Sequence, residues 1–361
     1  MRFALAIMAS AGLSLMAGSA RAHEVYQATP LATFPSNLTP NNLLAFNNGA
    51  VYGVAYDYTD TSDSDPSVTT WVYRVSDKGV ITRPCPGQKG GTGESVAFDS
   101  HGTGYTVGVK GILQFSDKAG CKLIAGFDAD LDPQSVNGML AVAPSGTVFG
   151  TTRTGKLFFV DFAHGTTRAI QTLKVPTDGF LTGAAADPAH EGLLYGTIVS
   201  SNAAGVTQTQ LFADQVAGQY KPLDLFAQNF HADVLTFGSQ GRLLAADVGG
   251  SYLLSPTGKI LSSTLPVQDF PLAVAGNHLL YSYQTTTVIP PVPPSRMPVV
   301  KINTYIGQAN LDGTSPQSLM DTTSFGSATS GIAQDPHGNL YQVMVGATGP
   351  HLLVKAVASS L

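Results

Sequence analysis

Short apolar stretches with alternating hydrophobic and polar positions recur along the whole chain, each closed by a turn containing glycine. The clearest unit lies near the C-terminus. Ser330 to Asp335 reads as a strand of small apolar residues, Pro336-His337-Gly338 as a turn, Asn339 to Val345 as an apolar-aromatic strand, and His351 to Ala358 as a third strand. The same order recurs at Asn42 to Tyr56, Glu94 to Val109, Gly138 to Thr151, Thr182 to Ile198, Asp233 to Val248 and Phe270 to Tyr283. Further strands follow each pair, as at Trp71 to Val75 and Val80 to Pro84, with a second glycine turn between them at Ser76-Asp-Lys-Gly79.

Units spaced by roughly 40 to 60 residues, each able to supply four strands, predict a β-propeller. The last unit runs out of chain after its third strand, while Tyr26 to Phe34 is a strand without a unit of its own. The sequence therefore predicts an all-β, seven-bladed propeller of four-stranded antiparallel blades, its ring closed by the N-terminal strand completing the last blade. One domain is expected over 23–361.

The N-terminus reads differently. Met1 and Arg2 precede an apolar run from Phe3 to Met16, and Ala20-Arg21-Ala22 ends it in the manner of a secretory signal, so cleavage after Ala22 is expected. No other stretch approaches the ~20 apolar residues of a membrane-spanning helix. The expectation is a periplasmic or secreted protein, monomeric, without membrane insertion.

Charged residues make up 12% of the chain, against about 25% in ordinary globular proteins, which suits strands and turns better than helices. Formal charge is -5, and removing Arg2 and Arg21 with the signal would lower it by two more. With no cluster of Lys and Arg to follow a phosphate backbone, nucleic acid is not an expected partner. The two cysteines, Cys85 and Cys121, fall in outer strands of neighbouring units but at opposite ends of those strands. A bridge needs Cα atoms within about 7 Å, so one disulfide and two separate thiols both stay open.

The Asp335-Pro-His-Gly-Asn-Leu-Tyr341 run resembles the turn of NHL-repeat propellers, of virginiamycin B lyase and of the senescence-marker/gluconolactonase family. Leu194-Tyr-Gly-Thr197 and Gly146-Thr-Val-Phe-Gly-Thr-Thr152 resemble a bacterial secreted propeller repeat. The resemblance implies a site at the mouth of the central channel, on the face carrying the starts of the first strands and the loops between second and third strands. In the gluconolactonase-like family a carboxylate and amide set holds a metal that polarises a lactone.

Aligning the units puts Asn42, Glu94, Gly138, Thr182, Asp233, Phe270 and Ser330 at equivalent first-strand starts. Asn42, Glu94 and Asp233 offer oxygen ligands for Ca²⁺ or Mg²⁺, with Asn137 one residue off register; hydrated channel residues are the plainer reading. His231 and Asp233, two apart on one strand, would project to one side, so Glu94, His231 and Asp233 are the candidate catalytic set for a hydrolase or lyase. Asp57, Asp60, Asp63 and Asp65 could wrap a cation in the first long loop, or form a solvated acidic loop. A second long loop, Ile289 to Pro298, is proline-rich and lies on the same expected face.

His101, His190 and His337 share the opposite turns and read as turn residues. His23 would head the mature chain, and Asn37-Leu38-Thr39 is a glycosylation sequon with meaning only in a eukaryotic secretory pathway. No nucleophile-elbow, zinc-protease or phosphate-loop pattern occurs. The sequence thus supports an exported scaffold binding a small molecule, glycan or protein on the long-loop face, with a metal-dependent lactonase-like hydrolase or lyase as the alternative.

Overall fold

The computed structural model describes residues 26–59, 68–116, 119–143, 145–172, 175, 179–187, 193–201, 204–205, 207–215, 221–228, 234–237, 243–247, 250–254, 260–262, 273–275, 278–290, 299–310, 315–346 and 349–358. The protein is an all-β propeller: consecutive antiparallel strands form sheets, and apolar side chains between the sheets make the core. Among the described residues there are six sheets. Four have four strands. One has five, its outermost pieces being Ile81–Thr82 and Gln88–Lys89, and one has eight. The eight-stranded sheet is two four-stranded meanders joined by one parallel pairing, Gly126 with Thr166. The expected seven separate sheets are not seen among the described residues: the outer strands Gly120–Gly126 and Thr166–Thr172 touch edge to edge in one hydrogen-bonded array.

Ring closure takes the expected form. Tyr26–Thr33 pairs antiparallel with His351–Ala358, from Tyr26 opposite Ala358 to Thr33 opposite Leu352, so the start of the chain supplies the outer strand of the last sheet. Backbone groups at that edge of His351–Ala358 are therefore paired rather than left as a template for another chain. The seam with the next sheet is apolar. Leu38, Val51 and Tyr73 of the first sheet, with Phe34 in the link that leads into it, pack on Tyr341, Val343 and Leu353 of the last.

Asp99 and Asp335 organise two of the turns at the end away from the long loops. Asp335 Oδ1 accepts the backbone N–H groups of His337 and Asn339, at 2.9 Å each, while Oδ2 accepts Asn339 Nδ2 at 2.7 Å and the Tyr341 hydroxyl at 3.0 Å. Asp99 repeats the arrangement with His101 N, Thr103 N and the Tyr105 hydroxyl. In both turns the histidine side chain is exposed and the aspartate holds its backbone N–H, as the turn reading expects; the His101 ring also meets the Ser100 hydroxyl at 3.4 Å. His190 lies outside the described residues.

The cysteines are joined as Cys85–Cys121, with Cα atoms 5.0 Å apart. The outer strand of the first sheet explains how residues expected at opposite strand ends can meet. Proline cannot donate to a ladder, and Pro84-Cys85-Pro86 leaves the sheet between Ile81–Thr82 and Gln88–Lys89, carrying Cys85 into the apolar seam with Val54, Val72, Leu113 and Phe115.

Candidate functional site at the loop-side mouth

Asn42, Gly138, Thr182 and Ser330, four of the aligned positions, do not begin strands. The first strands start earlier, and the aligned residues fall where pairing with the second strand breaks register: between Pro40 and Leu44, Val136 and Leu140, Leu181 and Ala184, and Ala328 and Ile332. Asn42, Gly138, Thr182 and Ser330 each lie in one of these irregularities. Extra residues at such a break re-aim the side chains around it. Glu94 sits in the link just before Ala97–Phe98, and its N–H donates to Gly138 O at 2.9 Å, joining the break of the next unit. A Cβ on Gly138 would lie 2.1 Å from Thr92 O and 2.4 Å from Glu94 Cγ, so glycine is what lets the Glu94 link pass so close.

The same link is tied from its other side. Thr70 Oγ1 donates to Gly91 O at 2.8 Å, and Thr106 Oγ1 to Ser95 O at 2.9 Å. Asn41, in the break of Leu38–Asn47, uses its amide twice, donating to Glu94 O at 2.8 Å and to the Tyr56 hydroxyl oxygen at 3.1 Å. Tyr56 is near the end of Ala50–Asp57, and Tyr58 follows it with ring centroids 6.5 Å apart and 53% exposure. Burial, then the negative charge of Glu94, then Tyr58, push the Tyr56 phenol up to about 12, so it keeps its proton at any physiological pH.

Arg153 comes from the turn after Val148–Thr152, two sheet units away along the chain. Its N–H donates to Ser135 O at 2.7 Å and its carbonyl accepts Leu181 N–H at 3.2 Å, so the backbone is pinned while the side chain is left to project. Its Nη2 stands 3.9 Å from Glu94 Oε1, with the two side chains 63% and 36% exposed. That is longer than a charge-assisted hydrogen bond of about 2.7–2.9 Å. The mouth therefore holds a fixed amide, a protonated phenol, an exposed ring, and a carboxylate facing a guanidinium.

Of the residues the sequence singles out, Glu94 is placed at this mouth. The Asn42 side chain, His23, His231, Asp233, Asp60, Asp63, Asp65 and residues 291–298 lie outside the described residues. Asp57 is buried and engaged: Thr59 donates through its hydroxyl at 2.7 Å and its N–H at 3.0 Å, and Asn37 Nδ2 donates at 2.8 Å. The Thr59 hydroxyl, working against burial and aided by the Thr59 N–H and Asn37, holds the Asp57 carboxyl below the usual carboxylate range. Asn137 is buried, its amide donating to Thr151 Oγ1 at 2.6 Å. Among the described residues no three His, Cys, Asp or Glu side chains gather as a metal site. An open cleft of about 710 Å³ lies elsewhere, between Thr33, Pro35 and Leu38 and the Gly79–Arg83 rim, with Arg83 its single charged residue.

Asn41, Tyr56 and Arg153 are the residues that sequence reasoning misses. Asn41 is one position from Asn42, and a strict period of two cannot choose between neighbours across a register break. Arg153 could have been found as the turn residue equivalent to the start of the long Asp57 loop, since both follow a second strand.

No family model and no curated protein matches the chain. Solved structures do. Virginiamycin B lyase from Staphylococcus aureus superposes with a TM-score of 0.58 at 11% identity, over 92% of this chain and 100% of that one. A streptogramin B lyase gives 0.53 at 13%, over 92% and 98%, and an oligogalacturonate lyase in complex with manganese gives 0.53 at 11%, over 92% and 98%. YCF48 bound to D1 peptide gives 0.50 at 11%, over 93% and 96%. At these identities the likeness is one of fold: the neighbours include lyases and a peptide-bound protein on the same propeller scaffold.

Proposed function

We propose that the chain is an exported seven-bladed propeller that binds a ligand at its loop-side mouth, over Tyr56, Tyr58, Glu94 and Arg153. The observation that carries this reading is the convergence there of side chains from three successive units, on links and turns pinned by backbone hydrogen bonds. Functional sites need such held geometry, and the long loops after Asp57 and at Ile289 to Pro298 start from the same face. Seven blades follow from counting the two joined meanders separately, as one domain over 23–361 in monomeric form. Periplasmic or secreted placement is supported by the Cys85–Cys121 bridge, since disulfides persist in oxidising compartments.

The expected ligand is a small molecule, glycan or protein segment rather than nucleic acid. A compound library screened by thermal shift on wild type, Glu94→Gln and Arg153→Ala tests the reading. Compounds that stabilise wild type should lose their effect in both variants; hits that stabilise all three proteins equally would move the site elsewhere.

A second reading, a metal-dependent lactonase-like hydrolase or lyase, draws on Glu94 standing at the mouth and on the manganese complex of a propeller of similar fold. The described donors fit a divalent ion poorly, because the Glu94 carboxylate already faces the Arg153 cation at 3.9 Å. Elemental mass spectrometry on protein purified without chelator, with a calcium titration followed by melting temperature, checks it. A stoichiometric ion lost in Glu94→Gln would restore the metal reading.

A further inference from the structure

We infer that the hairpin formed by His278–Ile289 and Val299–Asn310 is a lipid-docking arm, its apolar end resting in the headgroup layer of an anionic membrane surface; this stands apart from the ligand at the mouth. The first argument is length. Each strand of the hairpin has 12 residues, against 6 in Leu340–Val345, the matching second strand of the last sheet. The outer strand Gln317–Asp321 pairs only as far out as Tyr305, and Thr322 N–H reaches Thr304 O just beyond it. From there the hairpin register runs on unbroken, from Thr285 opposite Asn303 to Ile289 opposite Val299. At about 3.3 Å per residue, the run from Tyr283 to Ile289 carries the end about 20 Å past the shared sheet.

The second argument is what that end presents. Thr285 to Pro290 are all exposed, and Val288, Ile289 and Ile302 are 60%, 41% and 51% exposed. Side chains alternate along a strand, so Val288 and Ile302, which lies opposite Thr286, share one face while Ile289 takes the other. A protein partner covers one face of a ribbon; apolar side chains on both faces suit a medium that surrounds the end. Charge gives the third argument. From His278 to Asn310 the sequence has no Asp or Glu, and its charged residues are Arg296 and Lys301, in a chain of net charge -5. About 20 Å is roughly two Debye lengths at physiological salt, so charges on the shared sheet are screened from the end of the arm and its cations favour anionic headgroups. The contact is peripheral. An open two-stranded ribbon cannot enter hydrocarbon and stops in the headgroup layer, and among the described residues no helix is long and apolar enough to cross a membrane.

The experiment floats the full processed chain with vesicles of pure phosphatidylcholine and with vesicles carrying about one-third phosphatidylglycerol. The anionic vesicles should carry the protein and the neutral ones should not. Val288→Asp with Ile289→Asp should lower that partitioning about tenfold, and Lys301→Glu about fivefold. Melting temperatures should hold, because the substituted sites are exposed; if the double variant fails to fold, Ile302→Ser takes its place. Val357→Asp, the same change at an exposed strand position of another sheet, should partition as wild type. No flotation, equal flotation with pure phosphatidylcholine, or partitioning unchanged in the arm variants overturns the inference. Capture of soluble polyglutamate without flotation would assign the arm to an acidic protein partner and overturn it as well.

Discussion

The two ends of the propeller use carboxylates in opposite ways. At the turn end, Asp335 is buried, and its two oxygens accept four hydrogen bonds from backbone, amide and phenol donors of its own turn. At the loop end, Glu94 is 36% exposed and faces Arg153 across 3.9 Å. Both residues carry one negative charge near a tyrosine. The difference is that every donor around Asp335 comes from the same turn, whereas the groups around Glu94 come from three successive units that meet only when neighbouring units pack. A carboxylate held within one turn shapes the chain; one set between units joins parts that no single unit could bring together.

The largest effect should come from a change that touches both ends. The chain between Cys85 and Cys121 carries Glu94 at one end and the Asp99 turn at the other, so losing the bridge loosens both. With a sequence separation of 36 residues, Cys85→Ser with Cys121→Ser should cost about 4 kcal/mol in denaturant unfolding. Ligand affinity should fall with it. If stability falls and affinity does not, the mouth is held by its hydrogen bonds alone.

Asp335→Asn separates the ends. It replaces an acceptor of four bonds by a group that cannot accept them all, at an expected cost of about 3 kcal/mol, with ligand affinity unchanged. Burial pushes the Asp335 carboxyl up, but the bonds from Asn339, Tyr341 and His337 more than offset it and hold it below the usual range. A depressed carboxyl contributes stability above its unfolded pKa of about 3.9, and that stability is lost as pH falls through the still lower folded value. The gap between wild type and Asp335→Asn should therefore be constant from about pH 5 to 8 and close below about pH 4. A gap that does not narrow at all as pH falls below about 4 would mean the charge is not what the turn uses.

The contrast also explains what could be read from the amino-acid order. Much of what is built within one unit was legible: the alternating strands, the Asp-Pro-His-Gly turn, the turn histidines His101 and His337, and the spare Tyr26 strand that the last unit lacks. Glu94 was legible as an aligned position. Arg153 and Tyr56 were not, because residues 41, 56, 94 and 153 become neighbours through packing between units, which no local period encodes. The choice of Asn42 over Asn41 turned on a register break, and the paired cysteines on two prolines that lift Cys85 out of its sheet.

At the loop end the prediction runs the other way. Glu94→Gln and Arg153→Ala should each lower ligand affinity about tenfold, equivalent to about 1.4 kcal/mol of binding, while changing unfolding stability by less than about 0.5 kcal/mol, because the pair is solvent-exposed and long. Gly138→Ala sharpens this. The added methyl would strike Thr92 O and Glu94 Cγ, so it should weaken binding as much as Glu94→Gln and destabilise as well.

The smallest effect belongs to His337. Its backbone N–H is bound by Asp335 and its side chain is exposed, so His337→Ala should keep the turn, stability within about 0.5 kcal/mol and affinity intact. Circular dichroism melts and calorimetry on this variant decide whether the turn end is merely structural. A histidine that mattered to binding there would put a second site on the propeller and remove the contrast between its ends, because a group whose backbone alone is engaged would then be acting through its ring.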